Sequence, residues 1–174
     1  MKKLLCTSLA SLVIIGFALT ACKKNNESSS RLMVRLTDAP VNFQEVNVDI
    51  QQVRVKFSDD TASANGWVDL ATKAGIYNLL GFQNGVDTLL ASGTFPLQIV
   101  KEIRFILGPN NTIKDNNIVY PLTIPSGSES GLKIKVNKSL QADLTSLIID
   151  FDAALSVTKE GPGDYKLRPV LKIK

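Results

Sequence analysis

The chain has 174 residues, with 20 Lys and Arg against 16 Asp and Glu, two cysteines and no histidine. Without histidine, Ser–His–Asp and Cys–His catalysis and every histidine-based metal centre are excluded, so an enzyme would have to work with carboxylates, Lys, Tyr or Ser. The positive residues are spread along the chain rather than clustered, which leaves no footprint for nucleic acid.

Lys2 and Lys3 precede an apolar run from Leu4 to Ala18 that closes on Leu19-Thr20-Ala21-Cys22. The run has the length and flanks of a cleaved signal rather than of a membrane-spanning helix. Its end resembles a bacterial lipobox, in which a small residue precedes a cysteine that receives diacylglycerol. A signal peptide over residues 1–21 and an acylated, palmitate-bearing Cys22 are expected; an uncut anchor with an incidental Cys22 is the alternative. Each buried methylene of the acyl chains adds about 0.8 kcal/mol of membrane affinity. Removing residues 1–21 from 174 leaves 153 residues, the size of one domain. Without Lys2 and Lys3 the mature chain carries 18 basic and 16 acidic residues, a net charge of +2. Cys6 leaves with the signal and Cys22 carries lipid, so neither a disulfide nor a free thiol remains and stability must come from packing.

Residues 22–30 (CKKNNESSS) read as an acylated flexible tether, and residues 31–174 as one folded domain. Leu32 to Leu36 opens a strand that Asp38-Ala39-Pro40 stops. Glu45 to Phe57 alternates apolar and polar residues, and its phase changes at Gln51-Gln52, which predicts a β-bulge. A shorter strand starts at Trp67, the sole tryptophan, read as a core residue with its indole nitrogen at the rim. From Ile76 to Phe95 the apolar spacing fits helix as well as strand, and Val86 to Ala91 is the expected helical segment. Ile99 to Leu107 alternates again and ends on the turn Gly108-Pro109-Asn110-Asn111. Ile113, Ile118 to Leu122, Leu132 to Val136, Leu147 to Val157 and Tyr165 to Ile173 complete the pattern. It predicts an all-β fold, an antiparallel β-sandwich of about 8–9 short strands with one short helical segment.

Three features carry candidate chemistry. In Leu147 to Asp152, Asp150 and Asp152 share one strand face, and a hairpin through Ala142 to Thr145 would set Lys133 and Lys135 opposite them. The same aspartates, joined by Asp38 from an end loop, are the candidate oxygen ligands for calcium, although no local calcium loop is present. They are also the candidate pair for a carboxylate-based hydrolase. Pro125 to Gly131 places Ser126, Ser128 and Ser130 among glycines, which suits a plain turn or a recognition loop; a Ser–Lys dyad with Lys133 is the remote reading. Tyr77, Phe82, Tyr120, Tyr165 and Trp67 are scattered, as in sandwiches that stack sugars on exposed rings.

Leu36-Thr37-Asp38-Ala39-Pro40, Asn78-Leu79-Leu80, Pro125 to Ile134 (PSGSESGLKI), Asp150-Phe151-Asp152-Ala153 and Arg168-Pro169-Val170 occur in this order and spacing. Over about Arg31 to Ile173 the chain resembles the bacterial lipoprotein family called "domain of unknown function 4382". The resemblance implies a β-rich domain behind a lipoprotein signal, as in Bacteroidetes, and implies no activity. Surface-exported lipoproteins of that phylum carry acidic residues after the acylated cysteine. Here Lys23-Lys24-Asn25-Asn26-Glu27 follows, which tips the expectation toward the periplasmic side of the outer membrane. Asp60-Thr61-Ala62 and Asp87-Thr88-Leu89 resemble the short O-glycosylation pattern of the same phylum, placing modified Thr61 or Thr88 on loops. The expected role is a non-catalytic envelope lipoprotein without cofactor or metal, held to the membrane through Cys22. It would bind a glycan or another envelope protein through Asp38, Ser126, Ser128, Ser130, Asp150 and Asp152. A structural accessory subunit of an envelope assembly is the alternative, and a carboxylate hydrolase the third.

Overall fold

Leu32, Val34 and Leu36 are fully buried while Met33 and Arg35 between them are not, the period of 2 that a strand against a core imposes. They belong to β1 (Ser29–Thr37) of a computed structural model that describes residues 28–57, 66–125 and 131–174. The long alternating segment forms β2 (Glu45–Lys56). Three short strands follow: β3 (Trp67–Asp69), β4 (Ala71–Thr72) and β5 (Gly75–Asn78). A single 3-10 turn, Leu79–Phe82, leads to β6 (Thr88–Pro96) and β7 (Ile99–Leu107). Next come β8 (Thr112–Asp115), β9 (Ile118–Thr123), β10 (Leu132–Ser139) and β11 (Asp143–Phe151). The one short α-helix, α1 (Ala153–Ser156), precedes β12 (Val157–Gly161), β13 (Asp164–Leu167) and β14 (Leu171–Ile173).

The strands form two sheets. One has the order β14-β11-β1-β6-β4; the other runs β10-β7-β2-β8-β9-β13-β12, with β3 and β5 also paired to β2. Val34 and Leu36 from the first sheet and Val53, Val55, Ile103 and Phe105 from the second share one buried cluster. The fold is therefore the expected all-β sandwich. It differs from the expectation in detail: the sheets are mixed, because β1 and β11 run parallel, as do β9 and β13. The described residues hold fourteen strands, several of only two to four residues.

The bulge expected in β2 is present, as a register shift against β7 between Ile50 and Gln52. The helical segment expected at Val86 to Ala91 is not. Thr88 begins β6, which pairs antiparallel with β1 and buries Leu90 and Ala91, so sheet pairing overrides the helix-like spacing. Trp67 is also outside the core: it is half-buried at the start of β3, with the Arg104 guanidinium 4.2 Å from its ring centroid. Thr88, expected on a loop, lies in β6 opposite Leu36; Thr61 lies outside the described residues.

The Gly108–Asn111 turn divides β7 from β8 halfway along β2, and a buried acid explains its shape. Asp49 of β2 accepts from the backbone N–H and side-chain amide of Asn110, at 3.2 and 3.1 Å, and from the Gln51 amide. Asn111 closes the turn by accepting from the Asp49 backbone N–H at 2.9 Å and donating to the Gly108 carbonyl at 2.7 Å. Nothing in the sequence pattern distinguished Asp49 from the solvent-facing polar residues of β2.

Candidate functional site

Because β1 and β11 run parallel, their C-terminal ends lie at the same pole of the sandwich, with Thr37 opposite Asp150 in register. Asp38, Asp150 and Asp152 consequently converge there. Each is buried, whereas the spacing predicts Asp150 and Asp152 on a wet sheet face.

Asp38, 1% exposed, reaches across to α1, where its Oδ1 accepts from the Ala153 backbone N–H at 2.9 Å. Its Oδ2 accepts from the Gln83 side-chain amide at 3.3 Å. The backbone beside it is fastened to the 3-10 turn: the Thr37 hydroxyl lies 2.8 Å from the carbonyls of both Phe82 and Val86, and the Asp38 N–H donates to Phe82 at 3.0 Å. Asn78 holds that turn in place by accepting from the Leu80 N–H at 3.2 Å.

Asp152 caps α1, with its Oδ1 accepting from the Leu155 N–H at 3.1 Å and its Oδ2 2.9 Å from Lys172 Nζ. Ser156 at the other end of α1 accepts from the Val170 N–H at 2.8 Å, and its carbonyl accepts from the Arg168 N–H at 2.7 Å. Asp150 Oδ2 lies 3.2 Å from Lys174 Nζ, whereas its Oδ1 is buried without a partner among the described residues.

The lysines are thus Lys172 of β14 and Lys174 just beyond it, not Lys133 and Lys135. β10 pairs with β7 in the opposite sheet, where Lys133 stands across from Arg104 and Lys135 across from Glu102. Ala142 to Thr145 is not a hairpin turn, since β11 starts within it and pairs with β1 and β14. Cys22, Ser126, Ser128 and Ser130 lie outside the described residues.

Charge behaves differently at Asp38 and Asp152. Burial pushes the Asp38 carboxyl above its ordinary value of 3.8, against the lowering effect of its bonds to Ala153, Gln83 and Ala39, and the Asp150 charge pushes the same way as burial. Burial also acts upward on Asp152. There the Lys172 ammonium and the N–H groups of Leu155 and Ala154 outweigh it and hold the carboxyl below 3.8. Asp152 in turn raises Lys172. These shifts have opposite consequences for stability. The Asp152 contribution is present above pH 3.8 and is lost as pH falls through its lowered folded value. The Asp38 proton favours the folded chain, so that contribution is complete below pH 3.8 and declines as pH rises through the raised value. In urea titrations across the acid range, the advantage of the native chain over Asp152→Asn should shrink as pH falls below 3.8. Relative to Asp38→Asn, the native chain should instead lose ground as pH rises.

Asp38 and Asp152 turn their oxygens to backbone N–H groups, Gln83 and Lys172, and Asp150 turns one to Lys174, which leaves a single oxygen unpaired among the described residues where calcium needs about six or more. No group of three or more His, Cys, Asp or Glu able to hold a metal occurs among the described residues. Of the two acids of the hydrolase reading, Asp152 is held low, which fits the ionised partner of such a pair rather than its acid. What the knot does build is a cleft. Pro40, Val41, Asn42, Phe43, Gln83 and Ala154 line an open depression of about 590 Å³ above it. Leu155, next to Ala154 in α1, is exposed.

Two mixed sheets around one core, with a cleft held at one pole by buried acids, define a β-sandwich domain with a built loop end. Residues 29–169 match the family model described as Domain of unknown function (DUF4382), and the chain belongs to that family. No curated protein and no solved structure matches it. Four of the five segments that carry the resemblance meet in the knot just described: Thr37-Asp38, Asn78 to Leu80, Asp150 to Ala153 and Arg168 to Val170. The described residues contain no helix long and apolar enough to cross a membrane.

Proposed function

We propose that this chain is a lipid-anchored, non-catalytic recognition module of the bacterial envelope, binding a glycan or another envelope protein at the loop end of its sandwich. The observation that carries the reading is the cleft of Pro40 to Phe43, Gln83 and Ala154, raised on the Asp38–Ala153 bond. Such a cleft offers one aromatic face, Phe43, beside the amides of Asn42 and Gln83, the mixture of apolar surface and fixed polar groups that small binding sites use. Anchoring is supported by the lipobox-like Leu19 to Cys22 and by the polar residues 23–28 between it and β1. The outer membrane, with the domain on its periplasmic side, is the location proposed.

A second reading, an accessory subunit of an envelope assembly, is favoured by β9, which exposes Ile118 (53%) and Val119 (59%) on its two faces at the end that β13 does not pair. Crosslinking in intact cells, followed by affinity capture of the full chain and mass spectrometry, tests both readings. The cleft reading predicts captured glycan or protein that Phe43→Ala abolishes and Val119→Ser leaves intact. The reverse pattern would replace it with the accessory reading. Incorporation of radiolabelled palmitate, lost in Cys22→Ser, is the expected result for the anchor.

A further inference from the structure

The outer face of the second sheet, away from the cleft, carries an arrangement that folding alone disfavours. Across β3, β2, β7 and β10 the register sets Asp69, Arg54, Arg104 and Lys133 in one row, so that three cations follow one another on adjacent strands. Directly opposed like charges destabilise a sheet. The next row is Trp67, Lys56, Glu102 and Lys135. Among the described residues the two rows hold two acids and five cations, of which Lys56 is buried and has a partner of its own. Asp69 is engaged by Arg54 through its Nε, at 2.5 Å. The side chains of Lys133 and Lys135 are exposed and make no ion pair or hydrogen bond among the described residues. Arg104 lies over the Trp67 ring, and its Nε is buried with no hydrogen-bond partner among the described residues. Burial, with the Arg54 charge beside it, lowers the Arg104 pKa. A guanidinium stacked on Trp67 and set among cations gives the face a fixed positive charge that suits an incoming oxyanion.

We propose that this face, through Arg54, Arg104, Lys133 and Lys135, is a binding site for the oxyanion groups of an acidic polysaccharide. Strands lie about 4.8 Å apart, so Arg54 to Lys133 spans about 10 Å, a stretch that suits charges repeated along a chain rather than one small ion. A single-stranded nucleic acid would need open aromatic platforms for its bases, and the one tryptophan here is covered by Arg104. The proposal rests on the recognition reading only for the class of ligand, since it uses a different surface from the cleft.

The test is binding of the purified full chain in detergent to alginate and to dextran sulfate, with neutral dextran and an oligonucleotide of matched charge as comparisons. The native chain should bind both acidic polysaccharides, lose them at high salt and ignore neutral dextran. Arg104→Gln with Lys133→Gln should weaken binding by about tenfold. Lys159→Gln with Lys166→Gln, the same charge change on β12 and β13, should change it by less than about twofold. Alginate should also raise the melting temperature of the native chain and not of the Arg104/Lys133 variant, whose own melting temperature should be no lower. Equal losses in the two double variants, or an oligonucleotide bound as tightly as alginate, would overturn the proposal. Phe43→Ala separates the two surfaces: binding lost there and kept in the Arg104/Lys133 variant would move the ligand to the cleft and sink this site alone.

Discussion

Replacing Gly108 by alanine is expected to destabilise the chain by about 3 kcal/mol, the sum of overpacking at a filled site and weakened bonds to a buried carboxylate. A Cβ built there would fall 2.2 Å from Asp49 Oδ2 and 2.6 Å from its Cγ. Asp49 cannot swing aside freely. Its side chain is held by Asn110 and Gln51, and its carbonyl accepts from the Gly108 N–H at 2.8 Å. Moving it would open the turn that lets β7 and β8 share one edge of β2. Urea unfolding of Gly108→Ala beside Gly81→Ala checks this, because a Cβ at Gly81 meets nothing within 4 Å. Gly81→Ala should be neutral or slightly stabilising. If the contact with Asp49 is the cause, Asp49→Ala will cost less in the Gly108→Ala background than in the native one. Additive losses would show that the clash is not the cause.

The second large effect falls at Asp38. Removing its carboxylate strands the Ala153 N–H in a buried position, a loss of about 1–3 kcal/mol before the charge-assisted bond itself is counted. Asp38→Ala is therefore expected to cost about 3 kcal/mol. Asp38→Asn keeps an acceptor for Ala153 and removes a charge that burial disfavours, so it should lose less than half as much. Leu155→Ala, on the exposed side of the same short helix, should stay within about 0.5 kcal/mol of the native value. A loss in Asp38→Asn as large as that in Asp38→Ala would mean that the charge, not the acceptor, holds α1 to β1. The cleft should follow the stability: Asp38 touches no ligand in this account and acts by positioning Gln83 and Ala154.

Local features of this architecture were legible because they depend on neighbours in sequence. The strand Ile99 to Leu107 and the bulge at Gln51-Gln52 follow from alternation and its interruption. Asp38 stood out in an end loop and Asp150 and Asp152 as a pair on one strand face, and the β1–β11 pairing brings the three to one pole. Their partners were not legible. Period 2 says which residues share a face but not which strand lies alongside, so Lys133 and Lys135 were as plausible as Lys172 and Lys174 until the β11–β14 pairing was known. The parallel β1–β11 pair joins residues more than a hundred positions apart, beyond any turn signal. Val86 to Ala91 reads as helix until β1 supplies its hydrogen bonds. Asp49 could not be found at all, since an acid between Val48 and Ile50 is buried only because the Gly108–Asn111 turn folds over it.

The cation row on the outer sheet had the same difficulty. Arg54, Arg104 and Lys133 lie far apart in sequence, and each looks like an ordinary solvated residue of its own strand. Only the register of three neighbouring strands brings them together.

The most direct test of the recognition reading is a photo-crosslinking residue placed at Asn42, in the cleft, and at Lys159, on the distant β12, in the full chain expressed in intact cells. The account predicts a discrete envelope adduct, glycan or protein, from position 42 and none from position 159. It also predicts that Asp38→Ala, which loosens the cleft, removes the adduct while Asp38→Asn retains it. Adducts of the same identity and yield from both positions, or none from position 42, would contradict recognition at the loop end.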